Sequence, residues 1–168
     1  MIQKYAIHLA GLFMALVFSL SVTPVLADEH QPLLDRNQFS IGGGISSNSI
    51  DTRKNDENNE IGFQLFGAYH LPGVNLMDGV GSSVEFGLMD YGFRRDSTGI
   101  WATFTVDGLI SGDVGWLARA GLDIGDDSGL MMGAGISFLI DLKSDLRFEY
   151  VVRDDVDSWQ VNYLYHLK

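Results

Sequence analysis

The sequence predicts an all-β protein: an eight-stranded antiparallel up-and-down transmembrane β-barrel, preceded by a cleavable signal peptide. Three observations predict it. An apolar leader fills Met1 to Ala27. Downstream, eight segments of roughly ten residues alternate apolar with polar or glycine, the pattern of strands whose two faces meet different surroundings. The polar half of that alternation also includes charged groups, as in the last two segments. There Leu146, Phe148, Tyr150 and Val152 alternate with Arg147, Glu149, Val151 and Arg153, and Trp159, Val161, Tyr163, Tyr165 and Leu167 alternate with Gln160, Asn162, Leu164 and His166. A period of two puts one set on each face of a strand.

The leader has one early positive charge at Lys4, an apolar stretch from Ala6 to Val22, and a break at Pro24 before Val25-Leu26-Ala27. Small Ala27 and compact Val25 suit signal peptidase, and Asp28-Glu29 open an acidic mature chain. The expected organisation is a signal peptide over 1–27, a periplasmic lead-in over 28–36 and an outer-membrane barrel over 37–168. An uncleaved inner-membrane anchor is the alternative, since the apolar run is near the lower length limit for spanning. Pro24 and the acidic flank argue against it.

Eleven Lys and Arg stand against 22 Asp and Glu, for a net charge of −11, and there is no cysteine. Stability must come from the sheet and its surroundings. The chain lacks the basic stripe that would neutralise phosphates, so nucleic acid is not an expected partner. No run of eighteen apolar residues recurs after Ala27, which excludes a helical membrane protein.

The first strand, about Gln38 to Ser47, sets Phe39, Ile41, Gly43 and Ile45 against Ser40, Gly42, Gly44 and Ser46; Asn48 to Asn59 follows as the longest polar loop. The second, about Glu60 to Leu71, sets Ile61, Phe63, Leu65 and Tyr69 against Gln64, Ala68 and His70, and Pro72-Gly73 ends it. In the third, Val84, Phe86 and Leu88 oppose Glu85, Gly87 and Met89; in the fourth, Ile100, Ala102, Phe104 and Val106 oppose Trp101, Thr103, Thr105 and Asp107. Ser111-Gly112-Asp113 is a tight turn. The fifth strand sets Trp116, Ala118, Ala120 and Leu122 against Gly115, Arg119, Gly121 and Asp123. The sixth sets Met132, Ala134, Ile136, Phe138 and Ile140 against Gly133, Gly135, Ser137 and Asp141. Long strands joined by short turns suit a meander, and closure removes exposed edges.

Alternation alone does not say which face is inside. A secreted, soluble lipocalin-like ligand-binding barrel also has eight strands, with its apolar face inward. Two features favour the reverse. The polar face is crowded with Gly, Ser and Thr, which leave room for a few large groups in a narrow lumen. Aromatics also fall near strand ends on the apolar face, with Tyr69, Trp116, Phe148 and Tyr165 toward one rim and Tyr150 and Trp159 toward the other, as in a bilayer's aromatic girdles. Glu85, Arg119, Arg147 and Glu149 then point inward and are expected to pair as a lumen charge network, because an unpartnered charge in a narrow interior costs several kcal/mol.

The stretches Gly129-Leu-Met-Met-Gly-Ala-Gly-Ile-Ser-Phe138, Asp145-Leu-Arg-Phe-Glu-Tyr150 and Val161-Asn-Tyr-Leu-Tyr165 resemble the C-terminal half of the OmpA-like small outer-membrane β-barrel family. The resemblance is good over Gly112 to Leu167 and weaker before it. It implies location in the bacterial outer membrane, a periplasmic N-terminus, short periplasmic turns and longer outer loops. The implied partners are outer-membrane lipid and lipopolysaccharide and the outer-membrane insertion machinery, for a monomeric protein. Two departures stand out: the family's last strand usually ends on an aromatic, where this chain has Leu167-Lys168, and Pro72 to Val80 is long for a periplasmic turn.

No enzyme is expected. Lipid A deacylases share the Arg-Phe-Glu element at Arg147 to Glu149, but their His-x-Ser-Asn motif is replaced by Tyr150-Val151-Val152-Arg153, so nucleophile and base are missing. His70 and His166 read as hydrogen-bonded lumen histidines rather than catalytic ones. Asp123, Asp126 and Asp127 in one loop and Asp154, Asp155 and Asp157 in the next could collect a divalent cation, yet the twelve-residue calcium-loop spacing is absent. Gly42-Gly43-Gly44 lets the wall bend or a bulky lumen group approach. The expected protein has a packed polar lumen, no cofactor, metal or catalytic residue, and a structural or surface-interaction role. The alternatives are the soluble ligand carrier and a lipid-modifying outer-membrane enzyme.

Overall fold

Each alternating segment becomes one strand of a closed, antiparallel, nearest-neighbour barrel. A computed structural model describes residues 36–50, 59–74, 76–93, 98–125 and 128–167; the expected signal peptide and most of the lead-in lie outside them. After a 3₁₀ turn at Arg36–Gln38 come β1 Phe39–Ile50, β2 Asn59–His70, β3 Val80–Asp90, β4 Thr98–Ser111, β5 Val114–Gly125, β6 Gly129–Asp141, β7 Ser144–Val152 and β8 Val156–His166. The sheet closes where β1 pairs with β8, from Ser40↔His166 to Ile50↔Val156. Both chain ends of the barrel and the β2–β3, β4–β5 and β6–β7 turns share one end, the terminus end. The other connections share the loop end.

Turn chemistry explains the tight connections at the terminus end. Gly112 has φ +54°, the left-handed conformation that a side chain resists, and it carries the β4–β5 turn. The β6–β7 turn is an Asx type, with Lys143 N donating to Asp141 Oδ1 at 2.7 Å. One extra residue bulges just before each turn, at the register shifts between Leu109 and Ser111 and between Leu139 and Asp141. The long β2–β3 connection is held by Leu71 N donating to Ser82 O at 2.8 Å and Ser82 Oγ donating to Val74 O at 2.6 Å.

The two faces differ in the sense opposite to a water-soluble barrel. Ile61, Phe63, Leu65, Phe86, Leu88, Ile100 and Leu130 are exposed on the outside, Leu65 to 70%. Glu85, Arg119 and Glu149 are buried inside. Exposing one such apolar side chain to water forfeits about 1.5–3 kcal/mol, so a continuous outward band of them marks a surface that meets something apolar. The soluble ligand-carrier alternative needs the reverse arrangement.

The interior corrects the expectation of a purely polar lumen. Phe66, Met89, Tyr91, Trp101, Met131, Val151, Val156 and Leu164 form a buried apolar cluster inside the wall. Glycines paired with them on the neighbouring strands make the space: a Cβ on Gly42 would overlap Phe66 and Leu164, and one on Gly87 would overlap Trp101. Large groups fit because small ones oppose them, as close packing requires.

Candidate functional site

The inward-facing positions of all eight strands build the site, which has three levels. At mid-height Glu85 on β3 lies between two arginines, with Arg147 Nη1 at 2.7 Å from Oε1 and Arg119 Nη1 at 3.5 Å from Oε2. Arg119 Nη2 continues to Glu149 Oε2 at 2.8 Å. These four residues balance in charge. Amides knit the tetrad to β2 and β8: Arg119 donates to Gln160 Oε1 at 2.7 Å, Asn162 to Glu149 Oε1 at 2.8 Å, and Gln64 to both Gln160 and Asn162. Arg119 also lies over the Trp101 ring, 5.2 Å from its centroid, where a desolvated guanidinium gains a cation–π attraction.

Toward the loop end a second pair appears that the sequence reading missed. Arg153 Nε meets Asp123 Oδ2 at 2.9 Å, Tyr91 donates its hydroxyl to the same carboxylate, and Arg153 donates to Ser158 at 2.8 Å. Ser158 Oγ in turn donates to Asn48 Oδ1 at 2.6 Å, and Asn48 Nδ2 to Tyr91 O at 2.8 Å. Asp123 is therefore a lumen carboxylate and not part of an acidic loop rim. Asn48 likewise belongs inside β1 rather than to the loop that follows. The signal lay in the alternation itself, which puts Arg153 in phase with Arg147 and Glu149.

The terminus end is hollow. A cavity of about 700 Å³ opens there, lined among others by Ser40, His70, Asp107, Asp145, Arg147 and His166. The two histidines expected on the polar face both reach it. His166 is bonded on both sides, with Nδ1 at 2.7 Å from Ser40 Oγ and Nε2 at 2.7 Å from Asp145 Oδ1. Of the acids counted toward the lumen, Asp107 faces this cavity and Asp141 caps the β6–β7 turn.

On the outside, Tyr69 packs edge-on against Phe39 at 4.8 Å, and Tyr165 and Trp116 also lie near the terminus end. Tyr150 and Trp159 pack with tilted rings, centroids 4.7 Å apart, toward the loop end, where Tyr150 donates to Asp157 at 2.9 Å. Phe148 belongs to neither rim: it is the central residue of nine-residue β7, packed edge-on against Phe138. Among the described residues no group of three His, Asp or Glu is placed to hold a metal ion; Asp126 and Asp127 lie outside them.

No family model matches the sequence, and no curated relative is found. Solved structures do match in fold. A de novo designed transmembrane β-barrel aligns with TM-score 0.55 and 14% identity, over 82% of this chain and 98% of that one. Ail, the attachment invasion locus protein of Yersinia pestis, aligns at 0.52 and 20%, over 76% and 96%. Neisserial surface protein A aligns at 0.52 and 13%, over 77% and 97%. At these identities the likeness is one of fold, and the fold is that of small eight-stranded outer-membrane barrels.

Proposed function

We propose that this chain is an integral protein of the bacterial outer membrane with a structural or surface-interaction role, its loop end facing outward and its chain termini on the periplasmic side. One observation carries the reading: the wall exposes Ile, Leu and Phe outward while it buries ion-paired Glu85, Arg119, Arg147 and Glu149 inward. Only a hydrocarbon surrounding makes both faces favourable, because closure satisfies every backbone group without water. Outer-membrane lipid and lipopolysaccharide contact the wall, the insertion machinery delivers it, and the barrel works as a monomer.

The outward aromatics then lie at the two bilayer interfaces, Tyr69, Trp116 and Tyr165 on one side and Tyr150 and Trp159 on the other. The apolar cluster and the charge tetrad fill the cross-section, so the barrel does not conduct ions. Two neighbours in fold carry names of attachment and surface proteins, which fits loops displayed to the exterior. Ail has been solved with the heparin analogue sucrose octasulfate; the net charge of −11 here favours a partner that is not a polyanion.

Cell fractionation with gel mobility before and after boiling tests the proposal. Recovery in the outer-membrane fraction, with a compact unboiled band that shifts on heating, is the expected result. A soluble periplasmic protein without that shift would overturn it.

A further inference from the structure

Barrel closure brings together three side chains that are remote in sequence. Ser40 and His166 stand 126 residues apart, yet they are cross-strand neighbours where β1 meets β8, and Asp145 projects beside them from β7. Ser40 Oγ lies 2.7 Å from His166 Nδ1, and Asp145 Oδ1 lies 2.7 Å from His166 Nε2. With Asp145 a carboxylate, the hydrogen-bond network assigns the ring proton to Nε2, which leaves Nδ1 to accept from the Ser40 hydroxyl. All three residues line the 700 Å³ cavity at the terminus end.

We propose that Ser40, His166 and Asp145 form a nucleophilic relay that cleaves small, water-soluble carboxylic esters entering through the terminus-end mouth. The roles are those of nucleophile, base and orienting acid. The two ring nitrogens are exchanged relative to the serine-protease arrangement, but what counts is the hydrogen-bonded order of the three groups. Asp145 is steadied from its other side by Arg147 Nε at 3.5 Å, and Arg147 is itself tied to Glu85. Gln38 lines the same cavity two residues before Ser40, and its side-chain amide is the donor we assign to the ester's carbonyl oxygen. Asp107 and Asp113 also line the cavity and disfavour anionic esters.

The chemistry balances with water alone. Ser40 Oγ adds to the ester carbonyl carbon as its proton passes to Nδ1, forming an imidazolium that Asp145 faces. The carbon–oxygen bond to the alcohol breaks, and the alcohol leaves with that proton. Water then adds to the acyl-Ser40, its proton passing through His166 to the serine oxygen as the carboxylic acid departs. The proposal goes beyond the membrane reading and does not depend on it, since the mouth is the same wherever the barrel resides.

The test uses the full barrel in detergent micelles, with folding checked by mobility on an unboiled gel. Diisopropyl fluorophosphate should modify Ser40 in the unsubstituted protein, and not after boiling or in His166→Ala. Turnover of p-nitrophenyl acetate should fall at least about 10²-fold in folded Ser40→Ala, as loss of the nucleophile and its base requires. A folded, unsubstituted barrel that forms no adduct at Ser40 overturns the proposal whether or not the variants fold. So does a folded Ser40→Ala variant that loses stability but keeps its esterase rate, because the three groups would then only fasten the β1–β8 seam.

Discussion

The two halves of the lumen are built on opposite principles although the same strands run through both. From mid-height to the loop end, Trp101, Phe66, Tyr91 and Met131 are buried among Arg119, Glu149, Arg153 and Asp123, large side chains that take up the lumen. At the terminus end the inward positions carry Ser40, Ser83, Gly81, Gly115 and Ser137, and a cavity remains. Arg147 marks the boundary: its side chain is 8% exposed, while those of Arg119 and Glu149 are fully buried. The difference shows that in a narrow barrel inward side-chain size, more than polarity, decides where water stands.

Substitutions at the two arginines should break this comparison most clearly. Arg119→Met leaves Glu149 and part of Glu85 unpaired in a dry site, and should cost about 3–5 kcal/mol in urea unfolding from lipid vesicles. Arg147→Ala opens onto the cavity, so water can hydrate Glu85, and the expected cost is about 1–3 kcal/mol. Equal costs would mean the cavity is as dry as the plug. Adding Glu149→Gln to Arg119→Met should restore part of the loss, a coupling that a double-mutant cycle reads directly.

A glycine pair gives the next largest contrast. Gly42→Ala drives a methyl into Phe66 and Leu164 and should cost about 1–3 kcal/mol by overpacking. Gly67 points outward, with nothing nearer than 3.9 Å to a Cβ, so Gly67→Ala should fall within about 0.5 kcal/mol of zero or stabilise slightly. Matching costs at both sites would place the close packing on the wrong face.

Much of this was legible in the sequence, because a period of two fixes the faces once the strands are found. Each expected strand lies within a few residues of its observed bounds, and the alternation put Glu85, Arg119, Arg147 and Glu149 on one face. What alternation cannot supply is register around the closed circle. Ser40 read as an ordinary polar position and His166 as a hydrogen-bonded lumen histidine, and only the β1–β8 pairing makes them neighbours. Asp123 was read both on the polar face of the fifth strand and in the acidic loop after it, and the strand, which runs on to Gly125, decides for the first. The apolar plug was missed because Phe66 and Trp101 interrupt a face otherwise read as polar. Phe148 was set at a rim because aromatic type, without height, suggested an interface.

The absence of native cysteine allows the hollow half to be probed one residue at a time. Ser83→Cys and Ser137→Cys face the cavity and should react with a water-soluble maleimide, whereas Thr103→Cys, buried above it, should stay unmodified until unfolding. Labelling at Thr103→Cys in the folded protein would mean that solvent passes the tetrad and the lumen is open throughout.

The central claim is that lipid lies outside this wall and a dry plug lies within it. The chain's three tryptophans test it most directly, since Trp116 and Trp159 face outward and Trp101 is fully buried in the lumen. The measurement is fluorescence quenching by brominated-acyl lipids after reconstitution in vesicles, comparing the native protein with Trp116→Phe/Trp159→Phe. Strong quenching of the native protein and little quenching of the variant that keeps Trp101 is the predicted result. Quenching of Trp101 with Trp159 spared by lipid and reached instead by aqueous acrylamide would contradict the account.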